Sequence, residues 1–182
     1  GISSDASVTV SAMPSDIATR VYTLTNTATG AVTTTTVTPG GSTAYVPPTL
    51  EGSYTLVVTD TDTSNNVASS APLSFTLDKT VAKPVISLLS DYGASTTDGL
   101  TNSPYVLVSN LDSTSTWRYT VDGGKTYIDP YTLADGSYAV QVQATDVAGN
   151  QALSTAVTLQ LDRTITTPVL NLPVTAVNTS NY

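Results

Sequence analysis

Cysteine and histidine are both absent from this 182-residue chain. Without thiols there is no disulfide framework, no cysteine nucleophile and no CxxC zinc site. Without imidazole there is no histidine-dependent triad. Such a fold is held by packing and hydrogen bonds, or by a metal bound through oxygen. Charge is also scarce, at 11% of residues, so Ser, Thr, Asn and Gly must cover the surface. Long helices draw on Glu, Lys, Arg and Ala, whereas Thr, Val, Ser and Tyr dominate here and favour strands. No apolar run reaches the roughly eighteen residues of a membrane-spanning helix. The start shows no basic-then-apolar leader pattern.

Six basic residues stand against fourteen acidic ones, a net charge of -8. That excludes nucleic-acid binding through a basic patch. Among the acids only Glu51 is glutamate; the rest are aspartate. A short carboxylate suits turns, where it accepts nearby backbone amides. It equally suits hard-cation sites on loops. A hydrophobic fraction of 40% supplies a core, and the length allows one or two small domains.

The strongest signal is self-similarity. Glu51-Gly52-Ser53-Tyr54 reappears 84 positions later as Asp135-Gly136-Ser137-Tyr138. The same shift carries Asp62 to Asp146, Asn66 to Asn150, Leu77-Asp78 to Leu161-Asp162 and Pro84-Val85 to Pro168-Val169. The start aligns at 98 positions instead: Gly1, Val8, Val10 and Ser11 match Gly99, Val106, Val108 and Ser109. The first copy therefore has a longer middle, in the Thr-rich stretch Ala31–Val46, and lacks a counterpart of Val85–Asp98. The expected division is a first repeat over 1–80, a complete second repeat over 81–165, and the first strand of a third repeat or a tail over 166–182. This framing reads as a piece of a longer array. In the complete repeat, strands are predicted at Val85–Leu89, Tyr105–Val108, Thr116–Val121, Ser137–Ala144 and Ala152–Leu161. A hairpin turn is predicted at Asp122-Gly123-Gly124. The expected fold is all-β: tandem immunoglobulin-like Greek-key sandwiches, end to end.

Three segments carry a resemblance: Thr116–Gly124, Leu133–Tyr138 and Ala144–Asn150. With Ser90–Gly93, Asp98–Asn102 and Leu161–Thr164, they resemble the bacterial Ig-like tandem repeats of giant secreted adhesins, including RTX-type ones. The match covers nearly all of Val81–Pro168, and the first copy only from Glu51 onward. The resemblance implies stalk repeats that extend a binding tip from the cell surface and support adhesion or biofilm formation. It implies an extracellular location, neighbouring repeats of the same chain as partners, and calcium near the junctions.

Ig-like topology indicates where ligands for calcium would gather. The loop before the last strand of the second repeat, with Asp146 and Asn150, should lie beside the linker residue Asp78, and Asp112 should point the same way. Asp91 and Asp98 should lie at the opposite end, near Asp162 and Asp135. The plainer reading is that these aspartates cap turns.

Catalysis lacks parts. Paired carboxylates hydrolyse glycosides, but every acid here falls on a predicted turn or linker, with no enclosed cleft. The stronger rival is a carbohydrate- or protein-binding sandwich, which exposed aromatics clustered on one sheet would support. Trp117, mid-strand, is expected in the core. A Lys–Asn isopeptide cross-link is not expected, because Lys79, Lys83 and Lys125 all fall near the linker or in a turn. Asn178-Thr179-Ser180 matches a glycosylation sequon without meaning in a bacterial protein.

Overall fold

The computed structural model describes residues 1–40, 45–91 and 95–171. Alternating apolar residues form strands, and one 3-10 turn at Pro130–Thr132 interrupts them. Among the described residues, no helix is long and apolar enough to cross a membrane. The sheets fall into two groups. Among the described residues, no strand pairing joins the chain before Asp78 to the chain after Pro84. Residues 166–171 form no strand, and 172–182 lie outside the described residues, the sequon included.

The first group contains β1 (Ile2–Ser3), β2 (Ile17–Asn26), β3 (Val32–Val37), β4 (Gly52–Asp62), β5 (Val67–Ser69) and β6 (Leu73–Leu77). Its sheet runs β1-β6-β4-β2-β3, with β5 also on β4. The longer middle expected from the sequence is the β2–β3 hairpin. Tyr22, Leu24, Val37, Tyr54, Leu56 and Leu77 form the buried face. The opposing layer is irregular chain, in which Ala6, Val8 and Val10 point inward at every second residue.

The second group has β7 (Val85–Leu88), β8 (Leu100–Thr101), β9 (Val106–Ser109), β10 (Thr116–Thr120), β11 (Gly136–Thr145), β12 (Gln151–Leu153) and β13 (Val157–Leu161). One sheet is β10-β11-β13-β8 with β12 on β11, and the other is β7-β9. Between them lie Val106, Val140, Val142, Leu159 and Leu161, each at most 7% exposed. In both groups a two-residue strand near the start of the group's own sheet, β1 or β8, runs parallel to the last strand. In both, a tyrosine near the start of the longest strand hydrogen-bonds four residues back: Tyr54 Oη to Leu50 O at 2.8 Å, Tyr138 Oη to Ala134 O at 2.9 Å. That corner is a hallmark of immunoglobulin-like sandwiches.

The strand expected over Ala152–Leu161 is broken. Three residues, Ser154–Ala156, oppose two on β11, Gln141 and Val142. This extra residue is a β-bulge. It re-phases the alternation, so Ala152 and Ser154 face inward before it and Val157, Leu159 and Leu161 after it. The Val142 N–H donates to Ser154 Oγ at 3.0 Å, and the Ser154 N–H donates to Val142 O at 2.9 Å. The first group repeats the device. The Val58 N–H donates to Ser70 Oγ at 3.1 Å, and the Ser70 N–H returns to Val58 O at 2.8 Å.

Two other expectations are corrected. Asp122-Gly123-Gly124 does not close a hairpin; the chain returns to β10 only at the single bridge Tyr119–Ile128. The Asp122 carboxylate instead gathers the Lys125 and Thr126 amides and the Thr120 and Thr126 hydroxyls, winding residues 122–126 into a loop. The hydrogen bonds from Thr126, then that from the Thr120 hydroxyl, hold its carboxyl well below the usual range. Trp117 is 38% exposed rather than core. It sits on the inner face opposite Ala144, but the core cluster ends at Tyr119, against which the indole packs edge-on at 5.2 Å.

The register explains how the first group fills that slot. Tyr22 pairs Val58 as Tyr119 pairs Val142, and Arg20 pairs Asp60 as Trp117 pairs Ala144. The 98-residue shift seen at the start, which would put Thr19 in the position of Trp117, thus becomes 97 in β2, and Arg20 stands there instead. Arg20 is 3% exposed. Its Nε and one terminal nitrogen reach both Asp60 oxygens at 2.7 Å, and the other reaches Ser11 O at 2.6 Å. The hydrogen bond from Arg20 outweighs desolvation and holds the Asp60 carboxyl below its ordinary value.

Two outcomes are expected in denaturant unfolding. Ser154→Ala orphans the Val142 amide and destabilises by about 1–3 kcal/mol; an unchanged midpoint would mean that the bulge does not need the hydroxyl. Asp60→Asn strands a buried guanidinium and costs on the order of 3 kcal/mol at neutral pH. Because the folded carboxyl is depressed, the pair contributes fully above the ordinary aspartate pKa of about 3.9 and is lost as pH falls below it. The gap between wild type and variant therefore closes in acid.

Candidate functional site

The chain between the two sheet groups, residues 78–84, is held from the second group by three polar side chains. Asn150 stands in the loop before β12. Its Nδ2 donates to Asp78 O at 2.9 Å, to Asp146 Oδ2 at 2.9 Å and, more weakly, to Thr80 O at 3.4 Å. Asn110, in a left-handed conformation after β9, donates from Nδ2 to Lys83 O at 2.8 Å. The Asp112 carboxylate accepts the Ala82 amide at 3.0 Å.

The loop builds itself locally. Asp146 Oδ1 accepts the Asn150 amide at 2.9 Å, and Oδ2 accepts the same residue's carboxamide. Partial burial works to raise the Asp146 carboxyl, but these bonds and the Ala148 and Gly149 amides hold it below the usual range. Asp62 and Asn66 form the same pair in the first group at 2.8 Å, with the Asp62 carboxyl lowered chiefly by the Asn66 side chain. The Asp-x-x-x-Asn spacing, repeated at the 84-residue shift, is the sequence signal for this pair. That Asn150, rather than Asp146, touches the linker is legible only in three dimensions.

The expected residues therefore divide. Asp78, Asp146 and Asp112 all border the linker, but Asp78 meets Asn150 through its carbonyl, while its carboxylate accepts the Thr80 amide at 3.3 Å. At the other end of the second group, Asp91 Oδ2 accepts the Gly99 amide and Asp98 Oδ1 the Leu100 amide. Gly99 has φ +76°, and a Cβ there would lie 3.0 Å from Thr158 O, so only glycine fits. Asp162 joins this end through β8: its amide donates to Thr101 O, and Thr101 Oγ1 donates to Ser90 O. Asp162's carboxylate caps the Thr164 amide. Asp135 stands 3.7 Å from Arg163. Asp91 Oδ1 is buried with no hydrogen-bond partner. Among the described residues, no three His, Cys, Asp or Glu side chains converge as a metal-holding group.

With this geometry in hand, residues 103–163 match the model of the family described as the bacterial Ig-like domain. They span about a third of the chain, from just before β9 to just past β13. The fold class is thus an Ig-like β-sandwich, of a kind that typically carries no catalytic apparatus. No curated protein matches the chain. One solved structure of similar shape is titled "Structures of Clostridium thermocellum CbhA fibronectin(III)-like modules". It is 18% identical, covering 82% of this chain and 80% of that one, with a TM-score of 0.42.

Asn150→Ala removes the donor that gathers Asp78 O, Thr80 O and the Asp146 carboxylate. Unfolding should show a loss of about 1–2 kcal/mol, with faster amide exchange at Thr80 and Ala82. Unaltered exchange at those amides would mean that Asn150 does not restrain the linker.

Proposed function

We propose that the chain consists of stalk repeats of a large bacterial cell-surface adhesin, divided at residues 80 and 165, with calcium rigidifying the joints. The observation that carries this reading is the Asn150 clamp. A loop of one sandwich grips the chain leading out of the other, as a stalk that transmits force requires. The Asp62–Asn66 pair supplies the same loop in the first sandwich, so a longer array would offer the grip at successive joints. In this reading the surroundings are extracellular, the partners are neighbouring repeats, and the chain has no catalytic role.

The donor set fits a hard cation, which takes carboxylate and carbonyl oxygens. At the joint, Asp78 O, Thr80 O and Asp146 Oδ2 already face one positively polarised Nδ2 group. Calcium there would have to displace that Nδ2 and draw the Asp112 and Asp78 carboxylates toward Asp146, since the three do not converge as they stand. At the far end, the buried unpartnered oxygen of Asp91, with Asp98, Asp162 and Asp135, would serve the next joint. Bound calcium would neutralise the clustered carboxylates and tie both sandwiches to one point.

Extracellular modules bind calcium at roughly 10⁻⁴–10⁻³ M. Stabilisation follows mass action, about 2.7 kcal/mol at a hundred times Kd. Calcium should therefore raise the melting temperature and narrow the distance distribution between spin labels on the two sandwiches. Asp78→Ala should abolish the narrowing while leaving a site around Asp91, Asp98 and Asp162. Identical melting and distances in calcium and in chelator would sink the calcium reading.

A further inference from the structure

The outer face of the β10-β11-β12 sheet differs sharply from its counterpart in the first sandwich. By register, Thr116 and Arg118 on β10 lie beside Thr145 and Gln143 on β11, and Gln151 on β12 lies beside Thr145. The equivalent positions on β2, β4 and β5 carry Thr19, Val21, Thr61, Thr59 and Val67. A threonine–valine face in one sandwich thus becomes an Arg–Gln–Gln face in the other. The chain from the Asp122 loop then adds Tyr127 to that face.

These side chains enclose an open pocket of ≈ 220 Å³, whose lining includes Thr116, Arg118, Tyr127, Gln143, Thr145 and Gln151. The Arg118 guanidinium lies 5.5 Å from the Tyr127 ring centre, a cation–π distance. The Tyr127 hydroxyl donates to Gln143 Oε1. The ring is 41% exposed. Tyr127 is therefore anchored at its hydroxyl and carries the guanidinium on its ring.

Arg118 has no ion pair. The salt bridges among the described residues are Arg20–Asp60 and Arg163–Asp135. In a chain with fourteen acidic residues and six basic ones, a guanidinium held beside an aromatic ring and given no carboxylate among the described residues has its donors available to an anion. Its planar fork matches a carboxylate bidentately.

We propose that this pocket binds a carboxylate-bearing sugar, one uronic acid unit of an acidic polysaccharide. Arg118 takes the carboxylate. The Gln143 and Gln151 carboxamides and the Thr116 and Thr145 hydroxyls take the ring hydroxyls. The exposed part of Tyr127 meets the C–H surface of the ring. The volume is below the range of roughly 300–1,000 Å³ for sites that engulf a drug-sized ligand, so the pocket suits a single unit of a chain that runs on past it. Trp117 and Tyr127 are the aromatic members of the lining, and hydroxyls, carboxamides and a guanidinium make up the rest. Aromatic and polar groups without an aliphatic pocket favour sugar over an acidic peptide, which would bring apolar side chains. This inference does not rest on the stalk reading, and calcium-dependent melting is unaffected by it.

The test is an NMR titration of the ¹⁵N-labelled chain with trisaccharides of galacturonate, mannuronate and glucuronate. A methyl-esterified trigalacturonate and triglutamate serve as controls. At least one acidic trisaccharide should give saturable shifts at the Gln143 and Gln151 carboxamides and the Arg118 Nε–H, with Kd on the order of millimolar. Arg118→Gln should weaken binding about tenfold while lowering the melting temperature by no more than a few degrees, since Arg118 is exposed and loses only its contact with the Tyr127 ring. Esterification should weaken it similarly. The proposal is overturned if none of the three trisaccharides saturates these shifts, if Arg118→Gln binds like wild type, or if triglutamate binds as tightly at the same residues.

Discussion

The arrangement of the second sandwich depends on one extra residue in its last strand. Had the strand continued in plain alternation from Ala152 and Ser154, then Val157, Leu159 and Leu161 would have pointed to solvent. A one-residue change of phase reverses every side chain beyond it. The bulge at Ser154–Ala156 makes that change, and the Ser154 hydroxyl replaces the backbone acceptor that the bulge removes. Leu159 and Leu161, at 0% and 1% exposure, are buried because of it. Without a disulfide to tolerate a poorly packed core, the chain needs this satisfaction of a buried amide. The first sandwich does the same with Ser70.

The two sheet groups then diverge where the core ends. One closes its edge with a bidentate Arg20–Asp60 pair, the other with an indole over Ala144. Both solutions fill the same register position, but Arg20 is buried while Trp117 stays partly exposed. The ion pair needs Asp60 directly across the strand pair, and the indole needs the small Ala144 there. Each strand therefore restricts what its neighbour can carry.

The joint follows the same economy. Asp146 does not itself reach the linker; it shapes its loop and positions Asn150, which does. Asn150 and Asn110 supply N–H groups to linker carbonyls, and Asp112 accepts a linker amide. A linker with few side-chain contacts of its own is thereby satisfied through its backbone. The outer sheet face, by contrast, varies from threonine and valine to Arg118 and the glutamines.

Local pattern determined much of this. A short apolar run placed β7, a preceding turn signal β9, and period-two alternation β10 and β11, each within a residue or so. The repeat at 84 positions brought out the paired Asp–Asn loops and the twin tyrosines, since loops that bind their own backbone carry their signature in adjacent residues. The irregular spacing Leu153, Ala156-Val157, Leu159 was visible too, but a phase change read along one strand has no partner to count against. Only pairing with β11 shows three residues opposite two. The same limit hid Arg20 behind Thr19, because a one-residue slip in alignment changes which face a side chain occupies. It also hid the exposure of Trp117, which depends on where the opposing layer stops, and the Arg118–Tyr127–Gln143 pocket, whose members come from three separate segments. Sequence determines what each strand can bury; the register between strands decides which residues meet.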